Sequence, residues 1–308
     1  RKIFNQKNYF LLMLTIAPSG RPMESKPPTG PAASRLMTLS DREFRLIQEL
    51  VYQRFGINLT EGKKSLVVGR LQKIVRSMGM TTFNDYYEFL IKDKSGTATD
   101  ALINRISTNH TFFYREHAHF DFFRSTALSA IEQMLSRSNS RDIRIWCAGC
   151  SSGEEPYMLV MIMLDHFGPK YDAFSAGILA TDISARALGR AVRGVYSDEN
   201  VAHVPPFAKK YFQHIGPDQW AVCDRVKKEV VFRRFNLMNE KFPFKKPFHT
   251  IFCRNVMIYF DQETRSRLIT RFHNHLLPGG YFLIGHSESL GREQGLYSYV
   301  MPAVYRKV

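Results

Sequence analysis

The sequence predicts an α/β protein: a doubly wound sheet, an all-helical unit ahead of it and a small inserted β subdomain. Three observations carry this prediction. Between residues 38 and 107 apolar residues recur at helical spacing. From about Arg141 short apolar strands alternate with helices, the pattern of an open parallel sheet. Between 194 and 230 that alternation loosens into short strand-like pieces broken by Pro205-Pro206 and Gly216-Pro217.

In chain order, Ser40 or Asp41 can cap a helix that carries Phe44, Ile47, Leu50, Val51 and Phe55 and stops at Gly56. A second helix, over 62–77, places Val67, Leu71, Ile74 and Met78 on one stripe. Lys63, Arg70, Lys73 and Arg76 lie beside or opposite that stripe, with no acidic residue from Gly62 to Met80, and form a basic face suited to docking. Helices over 83–92 and 99–106 complete the unit. The sheet begins with a strand over 143–148, followed by a helix over 156–167, a strand over 174–180 that ends at Thr181-Asp182, and a helix over 184–192. After the insertion come a strand over 249–253, a helix over 264–276, a turn at Pro278-Gly279-Gly280 and a strand over 281–285.

With 43 Lys and Arg against 28 Asp and Glu, the formal charge is +15, which points to an acidic macromolecular partner. Cys147, Cys150, Cys223 and Cys253 are too few and too scattered for a disulfide framework. Cys147 and Cys150 have no second ligand pair at zinc spacing, so no metal is expected. The first 37 residues are read as a leader or disordered tail. They combine a short apolar stretch over 9–17 with a Pro/Gly/Ser-rich linker over 18–34, and Met23 or Met37 is the expected start. No apolar run reaches the roughly 20 residues of a membrane span, and a cytoplasmic protein is expected.

The loop from Gly149 to Pro156 follows the first strand and opens a helix, the arrangement of a nucleotide-cofactor site. Ser151 and Ser152 can cap that helix, and Pro156 sits in its first turn. Glu154 and Glu155 at the same helix start would repel a pyrophosphate, and the lysine of a phosphate-binding loop is absent. A cationic cofactor is favoured instead, and S-adenosylmethionine carries a sulfonium and an ammonium. Asp182, ending the second strand, can accept both hydroxyls of a ribose.

Residues 108–116 (TNHTFFYRE), 146–157 (WCAGCSSGEEPY), 252–261 (FCRNVMIYFD) and 285–290 (GHSESL) resemble the signature segments of the CheR-type chemotaxis receptor methyltransferases. The resemblance covers residues 38 to the C-terminus. It implies a Rossmann-like S-adenosylmethionine methyltransferase domain over 108–308, behind an all-helical domain over 38–107. It implies O-methylation of glutamates on the cytoplasmic helices of methyl-accepting chemoreceptors, with S-adenosylhomocysteine as product. By motif position, Asn109, Thr111, Arg115, Glu155, Asp182, Asn236, Leu237, Asn255 and Val256 would surround the cofactor, and the loop reading above adds Gly149 and Glu154. Arg115 and Tyr259 would lie nearest the transferred methyl. Tyr114 and Met158 stand where the family usually has Phe and Ser. A monomer is expected, with no nucleic-acid partner and no membrane contact except through receptors.

The residue types agree with that chemistry. A glutamate of pKa about 4.3 is already ionised at neutral pH, so the attacking oxygen needs no general base. The sequence shows no Ser-His-Asp or Cys-His constellation, and none of the ten histidines receives a catalytic role.

Overall fold

The structure, a computed structural model, describes residues 37–308. The leader and linker reading therefore lies outside the described residues, apart from Met37.

Four helices form the first unit: α1 (Asp41–Phe55), α2 (Lys64–Ser77), α3 (Phe83–Lys92) and α4 (Thr97–Ile106). Ser40 caps α1 in a reciprocal capping box with Glu43, and Gly56 ends it in the left-handed region at φ 69°. The apolar faces meet in one cluster around Phe44, Leu71, Phe83 and Leu102. On α2 the buried stripe is Val67, Leu71 and Val75, not the expected run to Met78. Met78 is 39% exposed, because it stands at the C-cap, past the last residue of α2. A helical stretch, α5 (Ala118–Phe122) and α6 (Leu128–Arg137), joined by a π-turn over Phe123–Ala127, then leads to the sheet.

The large sheet contains β1 (Asp142–Ala148), β2 (Ser175–Asp182), β6 (Val230–Arg234), β7 (Phe248–Cys253), β8 (Leu276–Ile284), β9 (Tyr297–Met301) and β10 (Val304–Lys307). Their order is β6-β2-β1-β7-β8-β10-β9. The first five are parallel, while β10 pairs antiparallel with β8 and β9. The sheet is therefore mixed, not wholly parallel as its strand-helix alternation suggested. The two-residue link from β9 to β10 is too short for a parallel crossover, so the closing hairpin has to be antiparallel. The central strands are buried on both faces, β7 at every residue, which explains their continuous apolar runs.

Helix α7 (Glu154–Phe167) connects β1 to β2, and α8 (Ala185–Arg193) follows β2. The insertion holds β3 (Val195–Tyr196), α9 (Asp198–Ala202), α10 (Pro206–Lys209), β4 (Phe212–Gly216), β5 (Gln219–Val222) and α11 (Asp224–Lys227). Its three strands form a separate sheet in the order β3-β5-β4. Val230, the expected last residue of the insertion, already belongs to the large sheet. Helix α12 (Gln262–Asn274) begins two residues before the expected Thr264, because Asp261 caps it. The Pro278-Gly279-Gly280 turn lies within β8, where the pairing with β7 shifts register. Among the described residues no helix is long and apolar enough to cross a membrane.

Candidate active site

The site lies where β1, β2, β6 and β7 end, facing the helical unit. After β1 the chain turns through Gly149, with φ 91°. A Cβ at Gly149 would overlap Val256 Cγ2, so only glycine lets this loop lie against the turn after β7. The backbone N–H groups of Gly149 and Cys150 donate to the Thr181 carbonyl at 2.8 and 2.9 Å. Neither serine caps α7: the cap position is Gly153, at φ 97°, with no side-chain bond to the helix.

Asp182 is 8% exposed. Its two oxygens accept backbone N–H groups from Ser151 and Ser184, each at 2.8 Å. Burial pushes its pKa up, and those backbone donors oppose the rise. Each oxygen keeps a second lone pair for a hydroxyl donor.

Around these residues is a cavity of about 330 Å³. Asn109, Thr111, Arg115, Gly149, Glu155, Asp182, Asn236, Leu237, Asn255, Val256 and Tyr259 all line it. Glu154 does not, and the expectation that it contacts the cofactor is corrected. Adjacent helical residues point about 100° apart, so two neighbouring carboxylates cannot share one target. Glu154 turns into the protein, 3% exposed, and accepts the Ser152 hydroxyl at 2.9 and 2.8 Å. Burial raises its pKa to about 7, with Arg190 as the opposing cation.

Glu155 is in the cavity but is not a free carboxylate. Arg254, which follows β7, donates to Glu155 Oε2 at 2.9 Å and to Glu116 Oε2 at 3.1 Å. Burial raises the Glu155 pKa and Arg254 opposes this. Glu116 Oε1 accepts the Asn255 amide at 3.1 Å and the His286 N–H at 3.3 Å. Glu116, His119 and His286 offer ligand atoms within 4.8 Å of one another. Both Glu116 oxygens are already bonded, one of them to a guanidinium, so this cluster is better described as part of the Arg254 network than as a metal centre. Asn255 sits at φ 58°. Its turn is held by Glu288, which accepts the N–H groups of Asn255 at 2.9 Å and Ile258 at 3.1 Å.

The opposite wall comes from the helical unit, through Phe55, Ile57, Leu59, Lys63, Leu66 and Arg70. It is fastened to the turn after β7. Asn58 N–H donates to the Tyr259 carbonyl at 2.8 Å, Ile57 bridges to Phe260, and Tyr52 donates to Asp261 at 2.5 Å. Asn236 also faces this junction: its amide donates to the Arg54 carbonyl at 2.7 Å and its oxygen accepts Met238 N–H at 3.0 Å.

The expected basic docking face divides. Arg70 donates to the Ile106 carbonyl and, at 2.9 Å, to Thr108 Oγ1, so it ties α2 to the start of the 108–116 segment. It is a joint of the cavity wall and not a free docking cation, which corrects the expectation. Lys63 donates to the Asn58 carbonyl at 3.3 Å, 6.0 Å from the Tyr259 ring centroid. Lys73 and Arg76 are exposed and do not line the cavity. Sequence reasoning did not single out Arg254, Glu288 or Asn58. An arginine at the end of an otherwise apolar strand was the available signal for Arg254.

This donor set fits S-adenosylmethionine. Asp182 offers acceptors for ribose hydroxyls, Glu155 for an ammonium, and Ile183, Leu237 and Val256 an apolar wall for a base.

Comparison with known proteins agrees with this reading. Residues 109–305 match the family model described as the CheR methyltransferase SAM binding domain, and 42–107 match the CheR methyltransferase all-alpha domain. The chain is 44% identical to a chemotaxis protein methyltransferase of Borreliella burgdorferi, over 87% of this chain and 94% of that one. It is 35% identical to a chemotaxis protein methyltransferase of Escherichia coli, over 87% of this chain and 92% of that one. A probable chemotaxis protein methyltransferase of Rhizobium etli is 37% identical over 79% of this chain and 91% of its own. The chain belongs to the CheR methyltransferase family and is an S-adenosylmethionine-dependent methyltransferase.

Proposed function

We propose that this enzyme methylates glutamate side chains on the cytoplasmic helices of methyl-accepting chemotaxis receptors, giving methyl esters and S-adenosylhomocysteine. The observation that carries the reading is the charge division across the cavity. The carboxylates Asp182 and Glu155, the latter paired with Arg254, belong to the sheet wall, and the half-buried cation Lys63 to the helical wall. A cationic methyl donor is favoured on the first side and an acidic side chain on the second.

Bound there, S-adenosylmethionine supplies an electrophilic sulfonium methyl. The protein's part is positioning and partial desolvation of an already ionised carboxylate. Arg115 donates to the His110 carbonyl at 2.8 Å, which fixes the guanidinium and leaves other donors for a carboxylate. Tyr259 lines the same cavity with its backbone held by Asn58, so its hydroxyl is available to orient the attacking oxygen. On this reading the enzyme works in the cytoplasm as a monomer and meets membranes only through its receptors.

The test is transfer of labelled methyl from S-adenosylmethionine to a receptor cytoplasmic fragment. Base-labile label on glutamate is expected. Label appearing in DNA or RNA, or cofactor binding without transfer, would overturn the reading.

A further inference from the structure

We propose that Arg254 is a positioning residue that holds Glu155 and the Arg115 segment in register for methyl transfer. The inference rests on the reading above, in which Arg115 and Glu155 serve the reaction. Arg254 is 7% exposed. One terminal nitrogen donates to Glu155 Oε2 at 2.9 Å, and the other to Glu116 Oε2 at 3.1 Å and to the Arg115 carbonyl. The guanidinium also lies over the Phe120 ring, 5.1 Å from its centroid. Its buried Nε has no hydrogen-bond partner among the described residues. The two terminal nitrogens and the ring therefore set its orientation, at the cost of an unmade bond.

Three chain segments meet at this one cation: the turn after β7, the start of α7 and residues 115–116. Through Glu116 the network continues to Asn255 Nδ2 at 3.1 Å, so a second cavity residue depends on the same centre. The fork matters because one planar group reaches two carboxylates and a carbonyl in fixed directions, which a point-like ammonium cannot do. One cation between two carboxylates also leaves the cluster with a net negative charge beside the expected ammonium position.

The test is a double-mutant cycle with Arg254→Lys and Glu155→Gln, read by S-adenosylhomocysteine affinity and by kcat for methyl transfer, with folding checked by thermal melting. If Arg254 acts through Glu155, each single variant loses affinity about tenfold and the double variant is no worse than the weaker single. Arg254→Lys should also lower kcat more than Glu155→Gln does, because only the former releases the Arg115 carbonyl. Additive losses, or wild-type affinity and kcat in folded Arg254→Lys, would overturn the assignment. Should Arg254→Lys melt below the assay temperature, Glu116→Gln leaves the guanidinium in place. It should then lower kcat about tenfold while affinity stays within about threefold, and wild-type kcat would count against the proposal. A wild-type enzyme that labels no receptor fragment would fault the substrate reading alone, since the affinity cycle needs no receptor.

Discussion

The two walls of the cavity differ in how they are built. The sheet wall is local: Gly149 N–H donates to the Thr181 carbonyl and Ser151 N–H to the Asp182 carboxylate, across the ends of two adjacent strands. The helical wall is assembled over long separations, with Asn58 bonded to Tyr259 and Arg70 to Thr108. The first is a rigid set of buried acceptors, and the second a set of half-exposed cations and apolar side chains. A fixed cofactor site and an adaptable protein-docking site ask for these different constructions.

If the walls divide the work, variants should sort by wall. The largest effect is expected for Asp182→Ala, which removes the ribose acceptor and strands two backbone donors. A loss of about 3 kcal/mol, or roughly 100-fold in affinity for S-adenosylhomocysteine, should appear in calorimetry. Tyr259→Phe should lower kcat about tenfold or more with that affinity unchanged, since its hydroxyl is assigned to the reacting oxygen. Kinetics in which KM for the cofactor carries the whole loss would make Tyr259 a cofactor contact instead.

Arg70 and Lys73 sharpen the comparison, because they lie on one helix with different roles. Arg70→Ala should weaken cofactor affinity several-fold by releasing the 106–109 segment. Lys73→Glu should leave that affinity alone and raise the receptor KM about two- to fivefold at low salt. Equal behaviour of the two variants would remove the distinction.

Glu154 should matter least for activity. Its folded pKa of about 7 stands above the ordinary 4.5, so the native state holds a proton that the unfolded state releases. Stability should therefore fall as pH rises from about 4.5 to 7, by up to about 3 kcal/mol from this group. Thermal melts of Glu154→Gln from pH 5 to 8 should lack that part of the decline while methylation continues. A Glu154→Gln profile that falls as steeply as wild type would place the carboxylate in a less buried setting.

The same contrast explains what was legible in the sequence. The strand-loop-helix unit and Asp182 are written in contiguous residues, so periodicity and charge were enough to find them. Glu154 and Glu155 are neighbours of one type, and only the direction of α7 separates their roles. Arg70 read as a surface cation because its partners, Ile106 and Thr108, lie more than thirty residues away. Arg254 looked like one charge at a strand end until the fold brought Glu116 and Glu155 to it. The antiparallel closing hairpin carries no helix between its strands, so the alternation that announced the parallel sheet could not announce it.

Salt tests the division of labour most directly. Wild-type enzyme titrated with S-adenosylhomocysteine, and assayed with a receptor fragment, at low and high ionic strength should give two different answers. Cofactor affinity, carried by buried hydrogen bonds, should change by less than about twofold, while the receptor KM, carried by half-exposed cations, should rise about fivefold or more. A receptor KM indifferent to salt, or a cofactor affinity that falls in parallel with it, would contradict the account.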